Sequence, residues 1–144
     1  NDLLSDELTA INQYIVHAEM AEDWGYPVLH ESAEKRAIDE MKHAEKHIAR
    51  ILFLEGRPIV SNYKKIYIGE DVPKIYENDR ISEQEAIDKY NAAIKLCVEV
   101  GDNGTKEMLD AILQDEEDHI DYIESELEKI AQMGLAMYLT TLTK

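Results

Sequence analysis

The chain has few of the residues that cross-link small domains or interrupt helices. Its 144 residues include one cysteine, three prolines and six glycines. A single cysteine excludes an intrachain disulfide framework and is typical of a reducing compartment, so we expect a cytoplasmic protein. Cys97 lies among apolar neighbours at helical spacing, which predicts a core residue rather than a reactive thiol. The scarcity of proline and glycine favours a few long helices over many short elements.

Basic residues are also scarce, with 15 lysines and arginines against 31 aspartates and glutamates and a formal net charge of -16. Such a charge repels nucleic acid and anionic membrane surfaces, so neither is expected as a partner, and it attracts cations. No apolar run approaches the roughly 20 residues of a membrane span, and no secretory signal pattern is visible. We predict a single domain over residues 1–144, because this length suffices to bury a core.

Apolar residues recur at helical spacing along most of the chain, which predicts an all-α protein. The helices are predicted at about residues 3–24, 30–54, 72–100, 105–133 and 135–142. Clustered glycine and proline end the second helix at Gly56-Arg57-Pro58, and Thr105 is a candidate cap for the fourth. The inward stripes are expected to include Ile15, Met41 and Leu52. The last helix is too short to be stable alone and is predicted to dock on the others.

The segment between the second and third helices, residues 56–71, lacks helical periodicity. At roughly 3.3 Å per residue it can reach about 50 Å. A helix of 25 residues is only about 38 Å long, so this segment can run the whole length of a helix bundle. We therefore predict a four-helix bundle with one long crossover and a short fifth helix. The side chains expected to hold the crossover against the bundle are Tyr63, Ile66, Tyr67 and Ile68.

Four glutamates interrupt the apolar stripes of the four long helices. Two of them open a Glu-x-x-His motif, which places a carboxylate and an imidazole on one helix face. The pairs are Glu40 with His43 and Glu116 with His119. The motif is a weak signal alone, but Glu7 and Glu83 occupy equivalent stripe positions on the other two helices. Four carboxylates in one core are very costly unless they are protonated or neutralised by cations.

The spacing of these glutamates indicates an internal repeat. In each helix pair, the first glutamate lies 18 residues before the glycine of the turn and the second lies 15 residues after it. The two acids of each pair thus reach one level, roughly 25 Å from the turn. Two divalent metal ions would balance the four negative charges. The spacing therefore predicts a two-metal centre inside the bundle.

The predicted ligands have distinct roles. Glu40 and Glu116 bridge the two metals, Glu7 and Glu83 are terminal ligands, and His43 and His119 each bind one metal. An oxygen-rich site with one imidazole per metal suits iron or manganese better than a structural zinc. Tyr14 lies two helical turns after Glu7 on the same face. It is a candidate to hydrogen-bond a ligand or to donate an electron, and a packing role is equally open.

Five stretches carry a resemblance to the bacterioferritin family along nearly the whole chain. They are ELTAINQY (7–14), IDEMKHAE (38–45), RILFLEG (50–56), IGEDV (68–72) and DEEDHID (115–121). The six metal ligands of that family fall on the glutamates and histidines named above. The resemblance implies a ferritin-like bundle assembled into a hollow homo-oligomeric cage of about 24 subunits. It also implies a ferroxidase that oxidises iron(II) with dioxygen or hydrogen peroxide at two iron ions per subunit, and storage of the ferric mineral inside.

The resemblance further implies a haem, either b-type or a modified porphyrin, shared between two subunits. Its axial ligand would be Met41, and Trp24 would line the same interface. From the residues alone, a methionine on a helical stripe is more often part of the core. A ferredoxin-type electron donor for iron release is a further implied partner. Some relatives carry a histidine four residues before Asp39 for iron on the cavity wall; here Lys35 stands there, so we do not expect that route.

Two other functions remain open from the sequence. The first is a di-iron or di-manganese redox enzyme, peroxidase-like or catalase-like, that stores no mineral; a rubrerythrin is excluded because its rubredoxin segment needs several cysteines. The second is a helical interaction module without metal, which leaves four core glutamates unexplained. The remaining histidines, His17, His30 and His47, are expected to lie at the surface or to have packing roles.

Overall fold

Five helices and no strands form the chain, which is described over Asn1–Lys144 in a computed structural model. The helices are α1 (Asp2–Asp23), α2 (Pro27–Phe53), α3 (Val72–Val100), α4 (Asn103–Met133) and α5 (Leu135–Thr140). The all-α class, the four long helices, the crossover between the second and third and the short fifth helix are as predicted. No helix has an apolar stretch long enough to cross a membrane.

The helix starts differ from prediction where capping residues set them. Helix α2 begins at Pro27 rather than near residue 30, because proline is well tolerated at the first helical position. The cap of α4 is Asp102, whose carboxylate accepts a hydrogen bond from the backbone N–H of Thr105 at 3.1 Å. Thr105 is therefore the third helical residue and not the cap that its sequence position indicates. Asp71 caps α3 in the same way, through the backbone N–H of Lys74.

The bundle consists of two helical hairpins, with α1 packed along α2 and α3 packed along α4. Two apolar clusters fill its interior, one around Tyr76 and Tyr138 and the other around Tyr90 and Cys97. On α3 the two clusters are separated by the turns that carry Glu83, so a polar layer lies between them. The fifth helix docks on the first cluster, where the Tyr138 and Tyr76 hydroxyls are 2.8 Å apart. Cys97 is buried, as predicted.

A ladder of polar side chains on α1 holds the crossover, residues 54–71. Four residues at successive intervals of four take part: Ser5, Thr9, Gln13 and His17. The Ser5 hydroxyl donates to the Asn62 carbonyl, and the other three accept hydrogen bonds from crossover N–H groups at 2.8 to 3.1 Å. Of the four side chains expected to attach the crossover, only Ile66 is half-buried. The expectation is wrong for Tyr63, Tyr67 and Ile68, which are exposed. An extended backbone needs hydrogen-bond partners, and the ladder supplies them.

Three apolar residues expected to face inward are instead exposed. Ile15, Met41 and Leu52 are 47%, 45% and 58% exposed. On α1 the inward stripe is occupied by polar residues such as Glu7 and His17, whose side chains find partners inside the bundle. His17 is fully buried and bonds Asp79 at 2.9 Å, which agrees with a packing role. Apolar spacing alone does not locate the inward face, because polar residues share it with buried apolar ones such as Leu4 and Ala18.

Gly69 marks the closest approach between the crossover and α3. A Cβ atom at Gly69 would lie 2.3 Å from the backbone nitrogen of Ile75, and backbone cannot move aside cheaply. We expect Gly69→Ala to destabilise the fold by about 3 kcal/mol, measured from the denaturant midpoint. The matched control is Gly101→Ala, where nothing lies within 4 Å and only the positive φ of 73° is strained. That variant should lose about 1 kcal/mol, and equal losses would contradict the steric argument.

Candidate metal centre

Six ionisable side chains from four helices meet in the polar layer. Each long helix contributes one glutamate, and α2 and α4 each add a histidine one turn later. All six are between 1% and 6% exposed. They are the residues singled out from the sequence: Glu7, Glu40, His43, Glu83, Glu116 and His119. The structure brings all six together; that they bind iron remains a prediction.

The six residues form two overlapping groups of four, each with ligand atoms within 4.8 Å of one another. One group is Glu7, Glu40, His43 and Glu116, and the other is Glu40, Glu83, Glu116 and His119. Glu40 and Glu116 belong to both groups. Such sharing is what two neighbouring metal ions with two bridging carboxylates require.

Both imidazoles direct the same ring nitrogen at the carboxylates. Nδ1 of His43 lies 3.1 Å from oxygens of Glu40 and Glu116. Nδ1 of His119 lies 3.1 Å from Glu40 and 3.6 Å from Glu83. The two rings are 6.2 Å apart between centroids and nearly parallel. The histidines therefore offer one nitrogen to each group.

The outer nitrogen of each imidazole meets an aspartate that the sequence analysis did not assign to the site. Nε2 of His43 lies 2.9 Å from Asp115, and Nε2 of His119 lies 3.5 Å from Asp39. These partners cross between hairpins, since each aspartate belongs to the motif of the other histidine. A carboxylate on the far nitrogen fixes the orientation of a metal-binding imidazole. The sequence signal was available: an aspartate directly precedes the shared glutamate in both motifs, Asp-Glu-x-x-His.

Tyrosines hold the two terminal glutamates, again across the hairpins. Tyr14 on α1 donates to Glu83 on α3, and Tyr90 on α3 donates to Glu7 on α1. Tyr90 also lies 2.7 Å from Nε2 of His47, so that buried imidazole donates to the phenol oxygen. Tyr90 was missed from the sequence, although each tyrosine follows its helix's glutamate by seven residues.

Burial and mutual repulsion control the protonation of the carboxylates. Burial, reinforced by the charge of Glu7, raises the pKa of Glu40 well above its ordinary value. Burial and the charge of Glu83 do the same to the pKa of Glu116. At Glu83 burial opposes ionisation, but the neighbouring Glu116 carboxyl group, the charge of His119 and the hydroxyl of Tyr14 outweigh it and lower the pKa to about 2. Without metal, protons retained on Glu40 and Glu116 therefore neutralise part of the negative charge of the centre.

Hydrogen bonds within the protein leave several of these groups incompletely satisfied. Oxygens of Glu40, Glu83 and Glu116, and Nδ1 of His119, are buried without a hydrogen-bond partner. Nδ1 of His119 is near Glu40 but not aligned to bond it. Unpartnered buried polar atoms are costly and rare in folded proteins. Here they converge on one point, and the donor set fits iron or manganese ions.

The predicted haem ligand lies on a different face. Met41 lines an open cavity of about 330 Å³ on the outer side of α1 and α2, whose other walls include Ile11, Ile15, Ala37 and Ile38. Trp24 does not line this cavity; it lines another one with Tyr26 and Leu135. Lys35 is exposed.

Comparison with known proteins agrees with this arrangement. The ferritin-like domain of the Ferritin family matches residues 1–133. A bacterioferritin of Mycolicibacterium paratuberculosis is 40% identical over 141 residues, covering 96% of this chain and 87% of that protein. Bacterioferritins of Brucella melitensis and Rhodobacter capsulatus are 38% and 40% identical, covering 96% and 93% of this chain and 86% and 83% of their own lengths. The chain therefore belongs to the ferritin family and, within it, to the bacterioferritins.

Proposed function

We propose that this protein stores iron and that each chain is a ferroxidase, oxidising iron(II) to iron(III) at the buried six-residue centre. The observation that carries the proposal is the pair of overlapping ligand groups that share Glu40 and Glu116. Iron is here both the substrate and the metal that the centre holds. Membership of the bacterioferritins supports iron storage over the alternative of a redox enzyme that stores no mineral.

The residues of the chain have separable roles in this proposal. Glu40 and Glu116 hold both metal ions, and release of their protons makes room for the positive charge. Bound iron supplies electrons to the oxidant, either dioxygen or hydrogen peroxide. Tyr14 and Tyr90 orient the terminal glutamates. Burial and the nearby carboxylates raise the pKa of both phenols, so the hydroxyls stay protonated and donate. Tyr14 is also the proposed donor of one additional electron to the oxidant, and its phenol proton would pass to Glu83, which already accepts its hydrogen bond.

The proposal includes a cytoplasmic cage of about 24 identical subunits that encloses the ferric mineral. The net charge of -16 is consistent with a cavity and pores that concentrate cations. Release of the stored iron would take electrons from a ferredoxin-type partner.

A haem between two subunits is the remaining part of the proposal. The cavity beside Met41 is walled mainly by isoleucine and alanine, with Glu19 and Glu34 also lining it, and it is open toward the outside. The apolar part of the wall suits the ring of a porphyrin. Met41 would supply one thioether ligand to the haem iron and the same residue of a second subunit the other. Trp24 was expected at this interface, but it lines a separate cavity, so the structure does not support that role for it.

An anaerobic titration of the demetallated protein with iron(II), followed by admission of air, tests the ferroxidase proposal. We expect saturation near two iron ions per chain, then fast oxidation and continued uptake into a soluble mineral, followed by visible absorbance. Binding of two ions without further uptake would favour the redox-enzyme alternative. Absence of binding would contradict both functions.

Substitution of Met41 tests the haem. Because the ligands would change from two thioethers to two imidazoles, Met41→His should shift or abolish the haem absorbance bands of the purified protein. Met137→His, at another exposed methionine, is the matched control and should leave the bands unchanged. Identical spectra for wild type and Met41→His would show that this residue does not ligate a haem.

A further inference from the structure

A small cavity of about 70 Å³ connects the metal centre to the protein surface between α1, α3 and the crossover. All four glutamates of the centre line it, and its other walls are mainly polar. This volume holds a few water molecules, since one water needs about 10–15 Å³ of such space. The cavity therefore has room for water or an ion between the glutamates and the surface residues that line it.

Lysines stand at the outer part of this cavity. The ammonium group of Lys89 lies 2.9 Å from both carboxylate oxygens of Asp6. Lys64 of the crossover approaches the same Asp6 at 3.1 Å and Asp2 at 2.7 Å. The side chains of Lys64 and Lys89 are 38% and 40% exposed, whereas that of Asp6 is only 19% exposed. The carboxylate is thus covered by the two ammonium groups.

Asp6 is positioned as the last carboxylate before the centre. It directly precedes Glu7 on α1, and both residues line the cavity. Because neighbouring residues of a helix point in different directions, Glu7 is buried in the bundle while Asp6 lies at the edge of the cavity. The position of Lys64 above it is fixed by the crossover, because the backbone N–H of Lys64 donates to Thr9 at 2.8 Å.

The ammonium groups of Lys64 and Lys89 oppose the entry of a cation as long as they cover Asp6. Two ammonium groups repel an approaching divalent ion, and they also neutralise the carboxylate that would attract it. Partly exposed ion pairs contribute little free energy, so a divalent cation can displace them at low cost. Lysine side chains are long and flexible enough to move into solvent when this happens.

We propose that Lys64 and Lys89 form a displaceable gate over Asp6, and that an incoming divalent cation replaces them on Asp6 before passing to Glu7. This inference rests on the proposed function of the metal centre. The gate sets the rate at which the centre fills, whereas the six buried ligands set how many ions it finally holds.

Rapid-mixing experiments with cobalt(II) test the gate without any oxidation step. The assembled, demetallated protein is mixed with cobalt(II) at low ionic strength, and the visible absorbance of bound cobalt gives both the rate and the final stoichiometry. We expect Lys89→Gln and Lys64→Gln each to raise the second-order rate about threefold, and Asp6→Asn to lower it about tenfold. All should still bind two ions per chain.

Two control variants distinguish the effect of positive charge at the cavity from the effect of substituting any surface lysine. Lys89→Arg keeps the positive charge and should retain a rate close to wild type. Lys106→Gln removes a lysine paired at 2.8 Å with Asp110 on α4, away from the cavity, and should also leave the rate unchanged. Unchanged rates in Lys89→Gln, Lys64→Gln and Asp6→Asn, with two ions still bound, would overturn the gate alone. Failure of the wild-type protein to bind cobalt would overturn the metal centre, and the gate with it.

Discussion

Glu116→Ala should lower the initial rate of iron(II) oxidation about 100-fold or more while the helical bundle remains folded. Glu116 belongs to both ligand groups, so its loss removes one ligand from each metal at once. The fold should tolerate the change because the substitution removes one of four carboxylates that repel one another in the absence of metal. The rate is measured by absorbance after aerobic addition of two iron ions per chain, and folding by circular dichroism.

The neighbouring residue provides the control. Glu117 has the same chemistry on the same helix but is exposed, so Glu117→Ala should oxidise iron at the wild-type rate. A wild-type rate in Glu116→Ala would mean that oxidation occurs elsewhere, for instance on the mineral surface. An equal loss in both variants would indicate a general effect of surface charge on iron supply.

Binding of two zinc ions should raise the melting temperature of the demetallated protein by at least about 10 °C. Zinc is used because it has no redox chemistry, so the effect reports binding alone. A ligand at 1,000 times its dissociation constant stabilises the folded state by about 4 kcal/mol per site. For a domain of this size each kcal/mol corresponds to roughly 3 °C. The physical source is neutralisation of four buried carboxylates that protein hydrogen bonds leave partly unsatisfied.

The stabilisation of the folded protein by zinc should grow as the pH rises. The pKa values of Glu40 and Glu116 are raised in the folded protein, mainly by burial. Above the ordinary carboxyl pKa of about 4.5 the unfolded chain releases these protons and the folded chain retains them, so the metal-free protein loses stability as pH rises. Metal competes with the same protons and binds better as pH rises. The gap between the two melting temperatures should therefore widen from pH 5 to pH 8, and a constant gap would contradict this account.

Glu116→Ala again provides a comparison, because it should gain much less from zinc than the wild type does. If both gained equally, the stabilising zinc would have to bind outside the proposed centre.

The sequence predicted those features that depend on spacing along the chain. The four long helices followed from periodicity, and the common depth of the four glutamates followed from equal distances to Gly25 and Gly101. The helical periodicity and the distance of each glutamate from its turn glycine both depend on a single hairpin. The bundle geometry then had only to close two similar hairpins on each other to bring the six side chains together.

What was missed depends on contacts between hairpins. Asp39, Asp115 and Tyr90 contact partners on helices far away in sequence, and no periodicity within their own helices shows which neighbour they meet. The internal repeat carried part of this information, since Tyr14 and Tyr90 occupy equivalent positions. The attachment of the crossover was mispredicted because tyrosine and isoleucine side chains were expected to hold it, whereas its backbone N–H groups bond to side chains of α1.

The exchange of ligands between hairpins has a consequence for the order of folding. Each hairpin carries three of the four residues of one ligand group, and the fourth comes from the other hairpin. A newly made chain whose hairpins have formed but not yet docked thus has no complete site. In the proposed ferroxidase, capture of iron would be coupled to the final docking step, and oxidation chemistry would start only in a finished subunit.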